Sequence, residues 1–136
     1  AAAAGLDWIL LAAPTTPRER LRVLGERSRG FLYCVSLTGV TGARDRLPPE
    51  LAGFLAAARA ASRVPVAVGF GISRPEQVQA LVSVAAGFIV GSALIEAVQA
   101  AGGRGPQARR AAASLVGALK AAARLPEPST AGRDGR

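Results

Sequence analysis

Short apolar runs alternate with amphipathic stretches along most of this chain. The runs that predict strands are residues 8–12, 31–35, 64–68 and 87–90. Each run is followed by a segment whose apolar residues recur at helical spacing. Strands that alternate with helices are typical of a parallel sheet with right-handed crossovers. The pattern therefore predicts an α/β fold, and two architectures compete: a doubly wound sheet and four units of an eight-stranded (β/α)8 barrel.

Polar residues predict where two of the helices begin. Thr16 precedes Pro17 and stands three residues before Glu19, which is the pattern of an N-cap with a capping box. Residues 73–76 repeat this pattern, with Ser73 as the expected cap. The last helix is expected from Pro106 to about residue 124. Residues 126–136 combine Pro, Ser, Gly and charged residues without apolar periodicity, so we expect a disordered tail.

Three glycine-bearing turns follow the predicted strands. They are residues 39–43, 69–73 and 91–93. Glycine lets backbone N–H groups approach a ligand closely, and a helix N-terminus adds a partial positive charge. Such turns on one sheet edge predict a phosphate site, as in barrels whose last loops bind phosphate beside a short extra helix. Taken singly, residues 69–71 are equally consistent with an ordinary tight turn, and Ser92 with a simple helix cap.

Two residues of the second predicted strand have a structural and a functional interpretation. Tyr33 alternates with Val35, so its face of the strand points into a barrel, where it packs an aromatic substrate or fills the core. Cys34 is expected to be a buried core residue. The long segment 37–48 is typical of a lid or binding loop, and Arg44 and Arg46 within it are expected to be solvated.

Composition narrows the classes of function. The length of 136 residues suits one domain, and a hydrophobic content of 50% supports a core. The net charge of +8 is carried almost wholly by scattered Arg residues with few aromatics, which argues against nucleic acid as a partner. No apolar run is long enough to span a bilayer, so no membrane association is expected and the predicted location is cytoplasmic. The absence of His and the single Cys argue against His-based triads and metal sites. The absence of Met predicts a piece of a longer protein.

The glycine motifs, in this order and spacing, resemble the tryptophan synthase alpha chain. The stretches that carry the resemblance are residues 36–44 (SLTGVTGAR), 69–73 (GFGIS) and 91–93 (GSA). Residues 11–16 (LAAPTT) are similar to the family's fifth barrel strand and its exit. The resemblance implies a (β/α)8 TIM barrel of which this chain supplies about the last four βα units, within residues 1–125.

The resemblance also implies a function and a set of site residues. The family is a lyase of tryptophan biosynthesis that cleaves indole-3-glycerol phosphate to indole and glyceraldehyde 3-phosphate. It works without a cofactor of its own, and its partner is a pyridoxal-phosphate beta chain in an alpha2beta2 complex. Tyr33 corresponds to a residue on the indole side, and Thr41 to one in the mobile loop that helps to orient a catalytic carboxylate. The residues implied to surround the substrate phosphate are Gly42, Phe70, Gly71, Gly91 and Ser92.

The family's two catalytic carboxylates lie on earlier strands, ahead of the matched region. Aldol cleavage needs positioned acid and base groups, and none of the acidic residues here is expected at a strand end facing the phosphate turns. We therefore predict no catalytic residue in this chain and no activity for it alone. The alternatives are a non-catalytic phosphate-binding half barrel and another sugar-phosphate barrel enzyme.

Overall fold

The computed structural model describes residues 4–36 and 48–124. The strands in chain order are β1 (Leu11–Ala12), β2 (Leu32–Val35), β3 (Val66–Gly69) and β4 (Gly87–Ile89). The helices are α1 (Arg18–Arg27), α2 (Leu51–Ala61), α3 (Pro75–Leu81), α4 (Ser92–Ala100) and α5 (Gly105–Ala122). None of the helices described here is long and apolar enough to cross a membrane. Residues 37–47 of the predicted loop 37–48, which include Thr41 and Gly42, and the predicted tail lie outside the described residues.

The four strands form one parallel sheet in the order β1-β2-β3-β4. Each connection carries a helix, as short parallel strands require. This sequential order is that of consecutive units in a (β/α)8 barrel, since a doubly wound sheet reverses its strand order at a switch point. The prediction of an α/β fold with barrel units is confirmed by this topology and by the structural similarity reported below.

The core lies between the sheet and helices α1, α2, α3 and α5, whereas α4 has no buried residue. Alternate residues of β2, Leu32 and Cys34, point into it and are fully buried, whereas Tyr33 on the opposite face is half-buried. The thiol is the buried core residue that the sequence predicts, and burial raises its pKa from 9.0 to about 12. The largest side chains buried with them come from α2, β3 and α3: Leu51, Leu55, Val68 and Val78.

The two helix starts for which the sequence predicts a capping box are shifted in the structure. Pro17 has an extended backbone (φ −59°, ψ 147°), so α1 begins only at Arg18 and Thr16 is not its cap. The Thr16 hydroxyl instead accepts a hydrogen bond of 2.9 Å from the N–H of Ala13, closing a local turn. The predicted capping box of Thr16 and Glu19 is therefore wrong.

At the start of α3 the cap comes from a residue that the sequence pattern did not indicate. Oε1 of Gln77 accepts hydrogen bonds from the backbone N–H groups of Ser73 (2.8 Å) and Arg74 (3.0 Å). Arg74 is the N-cap, so the third helical residue is Gln77. The box is displaced by one residue from the predicted Ser73 and Glu76, and its amide performs the function expected of the carboxylate.

The outer strands are open on one side. Within residues 4–36 and 48–124, β1 pairs only with β2, and β4 only with β3. A strand is predicted over residues 8–12, but only residues 11–12 form one, and Trp8 (60%) and Leu11 (56%) are exposed. The reason is that no described element covers the free side of β1. Such edges favour pairing with further strands.

Candidate functional site

Two glycine turns meet at the carboxyl edge of the sheet. Gly69 of β3 is the parallel partner of Ile89 in β4. Gly71 and Gly91 each lie two residues beyond this pair, on strands that neighbour each other at a spacing of about 4.8 Å. The structure thus brings these two sequence-predicted residues to the same end of adjacent strands.

The turn after β4 presents a helix N-terminus. Helix α4 begins at Ser92, and its first hydrogen bonds run from the N–H groups of Leu94 (3.0 Å) and Ile95 (3.1 Å) to the carbonyl of Gly91. No side chain caps this helix. The N–H groups of Ser92 and Ala93 therefore precede the helical ladder, and Ser92 is exposed. These donors and the Ser92 hydroxyl can bind an anion.

The turn after β3 has an unusual backbone. Phe70 adopts a positive φ of 64°, which is uncommon for a residue with a side chain, and Gly71 follows with a φ of 80°. Two consecutive left-handed residues turn the chain sharply at the end of the strand. Phe70 remains 49% exposed, so its ring lies at the rim.

An aromatic pair supports this turn. The rings of Tyr33 and Phe70 are stacked, with centroids 5.9 Å apart and an interplanar angle of 26°. The Tyr33 hydroxyl passes over Gly69, where an added Cβ would lie 2.5 Å from that oxygen. Burial raises the pKa of Tyr33 above its usual value of 10.0, so its hydroxyl is a neutral hydrogen-bonding group at neutral pH. The structure thus brings Tyr33 and Phe70 together beside Gly71.

Sequence reasoning missed Ser36. Its N–H donates to the carbonyl of Gly69 (2.9 Å), and its hydroxyl donates to the carbonyl of Phe70, 34 residues away. The side chain is fully buried. The available signal was its place on the same face of the strand as Leu32 and Cys34, because a polar residue on a buried face needs a hydrogen-bond partner.

None of the acidic side chains of the described residues lies at the end of a strand. All of them are exposed: Asp7 precedes β1, Glu50 is the N-cap residue of α2, and the others belong to helices, namely Glu19, Glu26, Glu76 and Glu96. Across the described ranges, no group of three metal-ligating side chains is assembled. The described strand ends therefore present hydrogen-bond donors and aromatic surface, and no acidic side chain lies at one of them.

A cavity of about 840 Å³ lies at the opposite edge of the sheet. It adjoins the residues just before β3 and β4, such as Pro65 and Ala86, and it extends along Phe88 to Val116 of α5. Function in barrels resides at the carboxyl edge, whereas the amino edge serves stability. We therefore assign the candidate site to the glycine turns rather than to this cavity.

Comparison with known proteins decides the family. A family model described as the tryptophan synthase alpha chain matches residues 1–124. The chain belongs to the tryptophan synthase alpha chain family. Among curated members, the protein from Dehalococcoides mccartyi is 50% identical over 96 residues, which are 71% of this chain and 38% of that protein. The protein from Thermococcus kodakarensis is 48% identical over 118 residues, covering 86% of this chain and 47% of its own length.

Solved structures of the family show the same fold. The tryptophan synthase alpha2beta2 complex from Pyrococcus furiosus contains a chain that superposes with a TM-score of 0.73 at 40% identity. That match covers 88% of this chain and 48% of the other. A Mycobacterium tuberculosis tryptophan synthase gives a TM-score of 0.69 at 40% identity, covering 89% and 43%. The chain thus spans somewhat less than half the length of the relatives that it matches.

Proposed function

We propose that this chain contributes the phosphate-binding part of a tryptophan synthase alpha chain, a lyase of tryptophan biosynthesis. The substrate is indole-3-glycerol phosphate, and aldol cleavage releases indole and glyceraldehyde 3-phosphate. The observation that carries the proposal is the register of β3 and β4, since it sets Gly71 and Gly91 at one edge of adjacent strands. Membership in the family supports the choice of substrate.

In this proposal, the backbone N–H groups of Gly71, Gly91 and Ser92 and the Ser92 hydroxyl donate to the phosphate oxygens. Each hydrogen bond to the charged group contributes about 1.5–3 kcal/mol. Phe70 flanks the phosphate at the rim, and Tyr33 lies on the indole side. Gly42 and Thr41, which lie outside the described residues, complete the site in the same proposal, Gly42 at the phosphate and Thr41 in orienting a catalytic carboxylate.

The chemistry requires an acid and a base, and no described acidic side chain lies at the end of a strand. Cleavage breaks the bond between indole C3 and the glycerol carbon, places a proton on C3 and removes one from a glycerol hydroxyl. The acidic side chains described above are exposed and lie on helices or ahead of β1. We therefore propose that acid and base come from outside this chain, and that the chain by itself does not turn over substrate.

The proposal extends to the setting of the enzyme. Relatives include a tryptophan synthase alpha2beta2 complex, so the proposed partner is a beta chain, which would hold the pyridoxal phosphate. No cofactor is assigned to this chain. The proposed location is the cytoplasm, where such biosynthetic enzymes act, and neither nucleic acid nor a membrane is a proposed partner.

A second candidate is a phosphate-binding half barrel without catalysis. The observation that favours it is that every described carboxylate is exposed and that none lies at the end of a strand. Both candidate functions use the same anion site. They differ in whether the whole protein places an acid and a base beside that site. Indole release by the whole gene product separates the two.

Calorimetric titration of the 136-residue chain with glycerol 3-phosphate tests the anion site. We expect saturable binding that Ser92→Ala weakens about tenfold, because one hydrogen bond to a charged group is lost. The matched control is Ser114→Ala, an exposed serine of α5, which should leave binding unchanged. No saturable binding, or equal loss in both variants, would overturn the site. Indole release from the chain alone at the rate of a complete enzyme would overturn the inactivity.

A further inference from the structure

Ser36 stands at a point where two strands and one turn meet. It follows the last residue of β2 and is fully buried, although it is polar. Its backbone N–H extends the parallel ladder to Gly69, the last residue of β3. Its hydroxyl reaches one residue further and donates to the carbonyl of Phe70. Both hydrogen bonds of this serine therefore end on the turn that precedes Gly71.

That turn is strained at Phe70. A left-handed backbone is unfavourable for a residue with a Cβ, and Phe70 has a φ of 64°. Such a conformation persists only where the surroundings determine it. Two contacts do so here: the bond from the Ser36 hydroxyl to the Phe70 carbonyl, and the stacking of the Phe70 ring on Tyr33.

We propose that Ser36 is a positioning residue, whose hydroxyl holds Phe70 in its left-handed conformation and so aims the N–H of Gly71 at the bound phosphate. The inference rests on the proposed function for the ligand, and on the geometry of the turn for the mechanism. Among the described residues, the hydroxyl of Ser36 is bonded to the backbone carbonyl of Phe70, so its proposed role is positional rather than catalytic. Its effect on binding passes through the orientation of the peptide between Phe70 and Gly71.

The first test reads the turn without any ligand. In NMR spectra of the chain, the left-handed Phe70 gives a strong intraresidue contact between its amide and α protons, and its ring contacts that of Tyr33. Ser36→Ala is expected to lose both signals, and Ser36→Thr, which keeps the hydroxyl, to retain them. The matched control is Ser28→Ala, which also removes a fully buried hydroxyl donating to a backbone carbonyl, that of Phe31 at 2.6 Å. Unchanged signals in Ser36→Ala would overturn the proposal.

The second test reads phosphate affinity with glycerol 3-phosphate. Ser36→Ala should weaken binding about tenfold, the effect of misdirecting one charge-assisted hydrogen bond, and Ser36→Thr should restore it. The dissociation constant of Ser28→Ala should stay within about twofold of that of the unaltered chain. This substitution removes a hydrogen bond at the end of α1 and leaves the hydrogen bond from Ser36 to Phe70 in place. If Ser36→Ala and Ser28→Ala lose affinity for glycerol 3-phosphate equally, the loss comes from removing any buried hydroxyl rather than from the turn. That result would overturn the proposal.

A double-mutant cycle with Phe70→Gly tests the mechanism itself. Glycine adopts a positive φ without the cost that phenylalanine bears. The hydroxyl should therefore matter less in the Phe70→Gly background, where adding Ser36→Ala should weaken binding by less than about threefold. The same tenfold loss in both backgrounds would contradict the proposed role.

The outcomes separate the two proposals. If the unaltered chain does not bind glycerol 3-phosphate, the phosphate site fails, and the ligand-free spectra still decide the role of Ser36. If the chain binds and Ser36→Ala binds equally well, the site stands and the positioning role fails. If Ser36→Ala does not fold whereas Ser28→Ala does, Ser36 acts in the core rather than on the turn, which also overturns the inference.

Discussion

Replacing Gly25 by alanine tests the packing of α1 against α2. Gly25 is buried in the last turns of α1, where a Cβ would lie 2.3 Å from the carbonyl oxygen of Ala61 and 2.9 Å from the Cα of Ser62. Both neighbours are backbone atoms at the end of α2, so no side chain can rotate away. Alanine should therefore push the two helices apart.

The expected magnitude follows from two opposing terms. Alanine in place of glycine inside a helix stabilises it by about 1 kcal/mol. Overpacking of a rigid contact costs about 1–3 kcal/mol. Since distances below 3.0 Å to backbone atoms place this contact at the costly end, we expect Gly25→Ala to lower the free energy of unfolding by about 1–2 kcal/mol.

Two other helical glycines provide matched controls for the same chemical change. Gly53 in α2 and Gly117 in α5 have no atom within 4 Å of an added Cβ. Alanine at either position should raise the free energy of unfolding by about 1 kcal/mol. Urea unfolding followed by circular dichroism, at one protein concentration, measures all three. If Gly25→Ala is as stabilising as the controls, the close approach of α1 and α2 is refuted.

Three further predictions concern a cap, a thiol and an edge. Gln77→Ala removes the acceptor of two backbone N–H groups and should cost about 1 kcal/mol in urea unfolding, whereas Gln79→Ala on the exposed side of α3 should stay within about 0.5 kcal/mol. The pKa of Cys34 is raised from 9.0 to about 12, so the folded state binds the proton more tightly and stability falls as the pH rises through this range. Unfolding of the unaltered chain should lose up to about 1.4 kcal/mol per pH unit there, and Cys34→Ala should show a shallower slope; equal slopes would contradict burial of the thiol. The open edge beside β1 should make the chain associate as its concentration rises, and Trp8→Lys should reduce that association in sedimentation velocity; a monomer unaffected by Trp8→Lys would contradict this.

The sequence predicts those features that local pattern determines. Strands and helices alternate as expected because apolar runs and helical spacing act over a few residues. Gly71 and Gly91 lie at the same edge of the sheet because parallel strands align their carboxyl ends. The register of β3 and β4 therefore determines the positions of both turns.

The missed features depend on contacts that are distant in sequence or on the exact start of a helix. The partner of Ser36 is 34 residues away, so no local motif indicates it. The extended backbone of Pro17 delays α1 by one residue, which removes Thr16 from the capping position. Trp8 is exposed because no described strand lies on the free side of β1. The local sequence of an apolar run does not show whether a neighbouring strand is present.

Amide NMR of the chain during titration with glycerol 3-phosphate tests the central claim most directly. The account predicts that the N–H signals of Gly71 and Ser92 move together and saturate at one ligand concentration. The signal of Gly103, an exposed glycine with a positive φ of 73° between α4 and α5, serves as the internal control and should stay in place. If Gly71 and Ser92 do not respond, or respond at different ligand concentrations, the two turns do not share one anion.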